Sequence, residues 1–501
     1  KKEMSKLNYK IIIHIIGVLL LFNGGLMLLS SLVSFLMKDG VTFEITLSSF
    51  LVMILGGGMM LPSRHHKKHI QKREGYLIVT LGWIFVSFTG MIPFLLTGAI
   101  PLLPDAFFES VSGYTATGSS ILTDIESLPY GILFWRSMTH WIGGMGIIVL
   151  AIAVLPLLGI GGMQLFSAEV SGPNGDKIHP RIAETAKRLW LIYIIYTIAE
   201  TFFLYIAGMS FFDSLNHAMS TMASGGFSTK NDSLAHWNHL PWIQYIVIIF
   251  MFLAGTNFIL SYFFFKGNLK RLFKDEEFIL YLKLILILTV IVSITIITGV
   301  DLKNNSFDHP QVWGKMESSV RHAAFQIIAI ITTTGFVTSD FTVWSPFLKV
   351  LFFGLMFIGG SAGSTSGGVK IVRHLIMIKS GLLEFKKALH PNAIIQTRYI
   401  GKVVNQEIIG NILGFFIIYM ILFIIGCLVF GFLGLDFESA IGVAASSLGN
   451  VGPALGDFGP SSNFNELPVF GKFWSSFLML LGRLELFTVL ILLTPFFWSK
   501  S

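Results

Sequence analysis

Long apolar runs alternate with short polar stretches along this chain, and within the runs the hydrophobic positions are continuous over roughly 20 residues, the length a helix needs to cross a bilayer core. Such windows lie at 9–37, 43–62, 75–100, 131–165, 184–211, 238–265, 277–300, 343–380, 405–434 and 466–498. The pattern predicts about ten helical spans. The first run is too long for a cleaved signal and no small-residue cleavage site follows it, so it reads as a retained span.

A second pattern sits between the spans. Four semi-polar segments, each between two long apolar runs, end in glycine: "DAFFESVSGYTATGSS" (105–120), "DSLNHAMSTMASGGFS" (213–228), "HAAFQIIAIITTTGFVT" (322–338) and "SAIGVAASSLGNVGPAL" (439–455). A segment of about 12 residues cannot cross a membrane but can enter it as a re-entrant helix. Non-helical backbone at membrane depth must be enclosed by protein or line a watery cavity. Four such segments in register therefore predict one central pore. Its tips would be Ala116-Thr117-Gly118, Ser224-Gly225-Gly226, Thr333-Thr334-Gly335 and Asn450-Val451-Gly452. Glycine tolerates the dihedrals that let carbonyls turn toward a shared axis. A ring of carbonyls can replace the hydration shell of a monovalent cation, and the tips carry no charged side chain that would suit a divalent one. The expected fold class is all-α integral membrane, with two N-terminal helices and four pseudo-symmetric span, pore helix and span repeats around one ion pore.

Composition agrees with a bilayer. Of 501 residues, 53% are hydrophobic and 13% charged, too apolar for an ordinary soluble protein. The only cysteine, Cys427, lies in an apolar run, so neither an internal disulfide nor a cysteine metal cluster can form. A net charge of +7 would suggest nucleic acid in a soluble protein, but here topology explains it and no nucleic-acid partner is expected. Assigning loops alternately places Lys1–Lys10, Arg64–Arg73, Lys177–Arg188, Lys266–Lys283, Lys370–Lys402 and Lys500 on one side, with most of the 35 Lys and Arg residues. The positive-inside rule makes that side, and both termini, cytoplasmic. The run "RHHKKH" (64–69) could suggest metal, but among Lys and Arg at a membrane face it reads as a solvated or headgroup-facing stretch. His140 and His217 read as hydrogen-bonded helix residues rather than ligands.

On the four tips, "WRSMTHWIGGMGIIVLAIAVLPLLGIGGMQLFSAE" (135–169), "GGSAGSTSGGVK" (359–370) and "GRLELF" (482–487), the chain resembles the Trk/Ktr/HKT superfamily of potassium transporters, most of all its bacterial TrkH/TrkG branch. The resemblance covers nearly the whole chain. It implies a K⁺ pathway within each subunit, a homodimer in the bacterial inner membrane, and filter glycines at Gly118, Gly226, Gly335 and Gly452. Relatives that favour Na⁺ can carry Ser at the first of these, so Gly118 favours K⁺. Ser224 and Asn450 depart from channel filters, which have Thr there. The implied divisions are 1–72, then pore repeats at 73–176, 177–274, 275–390 and 391–501.

The stretch "GGSAGSTSGG" (359–368) falls midway in a span, where so much Gly and Ser should break a helix. A phosphate loop is excluded because Val369 and Lys370 follow Gly368, with no Gly-Lys-Ser/Thr. A polar loop at membrane depth can line and obstruct a cavity, and the resemblance implies a gate there: Gly359, Gly360, Gly363, Ser364, Thr365, Ser366, Gly367, Gly368 and Lys370. Arg483 lies inside the last span and must be paired or face water. Two readings stay open, an ion pair with Glu485 or bonds to gate-loop carbonyls, and a fixed positive barrier in the conduction path, which the resemblance favours.

K⁺ is the expected transported ion, with no organic cofactor. Without a soluble nucleotide-binding domain of its own, the chain is expected, by the resemblance, to dock a cytoplasmic regulatory subunit of the TrkA type through loops 165–188, 266–277 and 370–402, and to contact membrane lipid. A cation-coupled (H⁺ or Na⁺) symporter is the alternative; it would call for inverted repeats, whereas these enter from one side. An intramembrane enzyme is remote, since there is no H-E-x-x-H and the tips lack a carboxylate pair or His cluster.

Overall fold

The computed structural model describes residues 7–64, 72–144, 146, 182–300, 307–393 and 395–499. Among these, six helices are long and apolar enough to cross a membrane: Tyr9–Met37, Thr42–Met60, Arg73–Leu96, Lys187–Ile206, Glu276–Gly299 and Gln406–Phe432. Their outward faces expose large apolar side chains, such as Leu286, Ile287, Val290 and Ile294 on one helix, as lipid contact requires. The first two form a hairpin whose backbones meet at Gly17 and Gly56; a Cβ at either would lie 2.7 Å from the other's carbonyl oxygen.

Four shorter helices, Leu103–Tyr114, Phe211–Ala223, Lys315–Ile331 and Phe437–Gly449, follow the third to sixth of these spans and are almost wholly buried toward their C-termini. Their starts are fixed locally. Ser210 caps the second through the Asp213 N–H at 3.0 Å, and Asp436 caps the fourth through the Ser439 N–H at 3.3 Å. A proline in the first turn, Pro104, opens the first. These are the pore helices of the four repeats.

The second spans are broken, where the sequence predicts continuous ones at 238–265 and 466–498. Pro241–Ala254 and Phe258–Phe265 meet at 108°, and Val469–Arg483 and Phe487–Leu493 at 118°. Asn257 explains the first break, because its side chain leaves the helix to cap the next one through the Ile259 N–H at 2.8 Å. At the second, Glu485 and Leu486 both adopt left-handed backbone, φ 56° and 51°. In the third repeat Pro346–Leu355 gives way to the glycine-rich loop before Ile371–Leu389 resumes. The first repeat's Tyr130–Gly144 runs up to residues outside the described set. Also outside it are the rest of the predicted span 131–165, the end of the 135–169 motif, most of the 165–188 loop and His65–His69 of the basic run.

Candidate functional site

Each pore helix ends in the same way. The residue opening each tip is left-handed without being glycine: Ala116 (φ 51°), Ser224 (56°), Thr333 (54°) and Asn450 (54°). Two residues on stands a glycine that is again left-handed: Gly118 (85°), Gly226 (85°), Gly335 (73°) and Gly452 (105°). Between them the middle residue's N–H returns to the helix: Thr117 to the Ser112 carbonyl at 2.9 Å, Gly225 to Ser220 at 2.9 Å, Thr334 to Ala329 at 2.8 Å and Val451 to Ser446 at 3.0 Å. This is the bond pattern of a Schellman cap, and it turns the chain out of the helix.

The four tips close on one another in cyclic order. A Cβ placed on Gly118 would lie under 3.0 Å from the Gly225 carbonyl oxygen, one on Gly226 equally close to that of Thr334, one on Gly335 to that of Val451, and one on Gly452 at 2.8 Å from that of Thr117. Each glycine therefore faces the middle carbonyl of the next repeat, first to second, second to third, third to fourth and fourth to first. The carbonyl oxygens of Thr117, Gly225, Thr334 and Val451 thus belong to one ring. Side chains brace it: Asn450 donates from Nδ2 to Thr117 Oγ1 and to the Met479 carbonyl, both at 2.9 Å. Ser119 and Ser446 both donate to the Gly452 carbonyl at 2.8 Å.

Beyond the tips, side chains of the pore helices hold the departing strands. Glu109, fully buried, accepts from Arg136 Nε at 2.9 Å, from Ser120 Oγ at 2.9 Å and from the Ile121 N–H at 3.0 Å. Arg136 also donates to the Ser228 carbonyl of the next repeat at 3.1 Å and lies over the Phe227 ring at 4.1 Å. His217 takes the equivalent place in the second repeat, with Nε2 2.9 Å from Ser228 Oγ and Nδ1 2.8 Å from the Asp213 carbonyl. His140 has Nδ1 3.0 Å from Ser220 Oγ and stacks on Phe227. Both histidines are hydrogen-bonded, and among the described residues no group of three or more His, Cys, Asp and Glu is placed to hold a metal. Further out, Asn231 donates to Asp124 at 3.2 Å and holds that carboxyl below the usual carboxylate range, joining the exit loops of repeats one and two.

The glycine-rich loop packs directly against the tips. Its Gly367 N–H donates to Thr333 Oγ1 at 2.6 Å, and Thr365 Oγ1 lies 3.0 Å from Ser224 Oγ. Thr365 also donates to the Met222 carbonyl at the end of the second pore helix, at 2.9 Å. Within the loop Gly359 N–H donates to the Val369 carbonyl, Gly360 N–H to Ser366 Oγ at 3.0 Å and Ser364 Oγ to the Ser361 carbonyl at 2.6 Å, while Lys370 donates to the Ser366 carbonyl. Gly363 and Gly368 supply left-handed turns, φ 74° and 65°.

Arg483 crosses between this loop and the first repeat. It donates to the Thr365 carbonyl at 2.6 Å, to Gly143 at 2.6 Å and to Gly144 at 3.1 Å. Glu485, the partner considered for it from the sequence, pairs with Arg373 at 2.6 Å. Sequence reasoning missed Glu109, Arg136 and the Gly143 carbonyl; an Arg inside the apolar window 131–165, with a Glu in the neighbouring pore segment, was the available signal for the first two.

Four enclosed loop ends closing a ring, carried on pore helices among membrane-crossing helices, define an all-α integral membrane protein of fourfold pore-helix architecture. The chain belongs to the TrkH family of cation transport proteins, whose family model matches residues 41–500. That is a family of transporters, not enzymes. It is 39% identical over 497 residues to the Trk system potassium uptake protein TrkH of Escherichia coli (strain K12), covering 99% of this chain and 100% of that protein. To TrkG of the same strain it is 32% identical over 504 residues, with coverages of 99% and 100%. The crystal structure of the potassium transporter TrkH from Vibrio parahaemolyticus superposes with a TM-score of 0.87 at 36% identity, covering 98% of this chain and 100% of that one.

Proposed function

We propose that this protein takes up K⁺ across the bacterial inner membrane through a gated pore, with the ring of four tips as its selectivity filter. The observation that carries the reading is the cyclic closure of the tips, in which each glycine makes room for the next repeat's carbonyl. Carbonyl oxygens on a common ring are the chemistry that substitutes for the water shell of a monovalent cation. The printed names of the relatives, potassium uptake proteins, supply the ion. The ion-binding residues are then Ala116 to Gly118, Ser224 to Gly226, Thr333 to Gly335 and Asn450 to Gly452.

In this reading the 359–370 loop is the gate, and Arg483 holds it shut while placing positive charge beside the path. Contacts of Thr365 and Gly367 with the tips support the gate, and the Arg483 bonds to Thr365 and Gly143 support the clasp. The repeats divide at 73, 177, 275 and 391 after a two-helix leader. Both termini face the cytoplasm, on the basic side, where a nucleotide-binding subunit of the TrkA type docks on a homodimer set in lipid. The test is cation uptake into proteoliposomes holding this chain alone, comparing K⁺, Rb⁺, Na⁺ and Li⁺. Uptake preferring K⁺ and Rb⁺ is expected; uptake indifferent to the cation would sink the filter, and uptake that requires a H⁺ or Na⁺ gradient would move the reading to a coupled symporter.

A further inference from the structure

Behind the gate loop stands a carboxylate that neither the filter nor Arg483 accounts for. Glu277, in the first turn of Glu276–Gly299, is 3% exposed. A single oxygen, Oε1, accepts from the Ala362 N–H at 2.7 Å and from the Val372 N–H at 3.1 Å. Ala362 lies in the loop and Val372 in the first turn of the helix that leaves it, so one atom joins the loop to Ile371–Leu389.

Capping does not explain the residue. Asp275 already caps its helix through the Phe278 N–H at 2.9 Å. The neighbouring Glu276 pairs instead with Lys379, farther along Ile371–Leu389. The loop, for its part, has few large side chains with which to pack, since residues 359–368 are all Gly, Ser, Thr or Ala and only Ala362 and Val369 join apolar clusters. Its shape therefore depends on hydrogen bonds, and a single side-chain oxygen that accepts two backbone N–H groups holds Ala362 and Val372 together.

We propose that Glu277 is a positioning residue for the gate: its carboxylate fastens the loop to the first turn of Ile371–Leu389, so that displacement of that helix releases the loop. This rests on reading 359–370 as the gate. Removing the acceptor frees two amides at once, whereas Gln keeps an oxygen in the same place.

The test is hydrogen–deuterium exchange of the full-length protein in detergent, with Rb⁺ uptake measured alongside, for the parent, Glu277→Ala and Glu277→Gln. In Glu277→Ala, peptides spanning 359–372 should exchange about tenfold faster while pore-helix peptides keep parent rates, and in Glu277→Gln they should stay within about twofold of the parent. Rb⁺ uptake should rise severalfold in Glu277→Ala only. Parent-like exchange in Glu277→Ala, or equal loosening in both variants, overturns the role given to the carboxylate oxygen. Faster loop exchange in Glu277→Ala with uptake unchanged from a conducting parent upholds the fastening and overturns the gate reading beneath it.

Discussion

At the scale of single residues, the tip glycines and the Glu109–Arg136 pair carry the most specific expectations. A side chain at Gly335 has no room, because its Cβ would fall on the Val451 carbonyl oxygen, and the left-handed backbone there adds strain for any other residue. Gly335→Ser is expected to displace that carbonyl, lower K⁺ uptake by about tenfold, or ~1.4 kcal/mol in barrier, and erase preference over Na⁺. Competition of Na⁺ against Rb⁺ uptake measures this. Glu109 and Arg136 are a buried pair with 0% and 1% exposure, and breaking such a pair costs about 3–5 kcal/mol because the surviving charge is stranded. Arg136→Met alone should lower the melting temperature of purified protein more than the double change with Glu109→Gln. If the double variant is the less stable of the two, the stranded-charge account is wrong.

Among the elements, the loop is held more by distributed polar contacts than by packing, with Ala362 and Val369 its members of apolar clusters, which makes it the part most open to perturbation. Thr365→Val keeps the volume and the carbonyl that Arg483 grips, but removes the hydroxyl that meets Ser224 Oγ and the Met222 carbonyl. Basal Rb⁺ uptake should rise severalfold, and a flux equal to that of the parent would show that these bonds do not hold the loop closed. The elements also show what the sequence could and could not reveal. The pore helices and their tips were legible because a glycine recurs at one place in four otherwise dissimilar segments, and the backbone carries its paired left-handed residues at those same places. The break at 255–257 was hidden because the residues on either side stay apolar, and that at 484–486 because Arg483 and Glu485 signal charge rather than a bend; hydropathy measures burial in lipid, not direction. Only Asn257, a cap residue inside an apolar run, hinted at a new helix start. The contacts of Arg483 were out of reach for another reason. They run to carbonyls of Thr365, Gly143 and Gly144, and carbonyls leave no mark in a sequence.

Over the whole molecule, the ring of tips is braced by buried polar contacts, and the glycine-rich loop is tied to it on one side and to Arg483 and Glu277 on the others. Fourfold closure comes from one chain, so the tips need not be alike: Ser224 and Asn450 make different side-chain bonds while their backbones match. The proposed filter uses that separation of backbone from side chain: carbonyls bind the ion and the tip side chains tune it. Anomalous diffraction from crystals of this protein grown in Rb⁺ or Tl⁺ tests it most directly. A peak is expected on the axis enclosed by the carbonyl oxygens of Thr117, Gly225, Thr334 and Val451, weakened in Gly335→Ser. A ring without a peak, or heavy-ion density held only by side chains elsewhere, would contradict it.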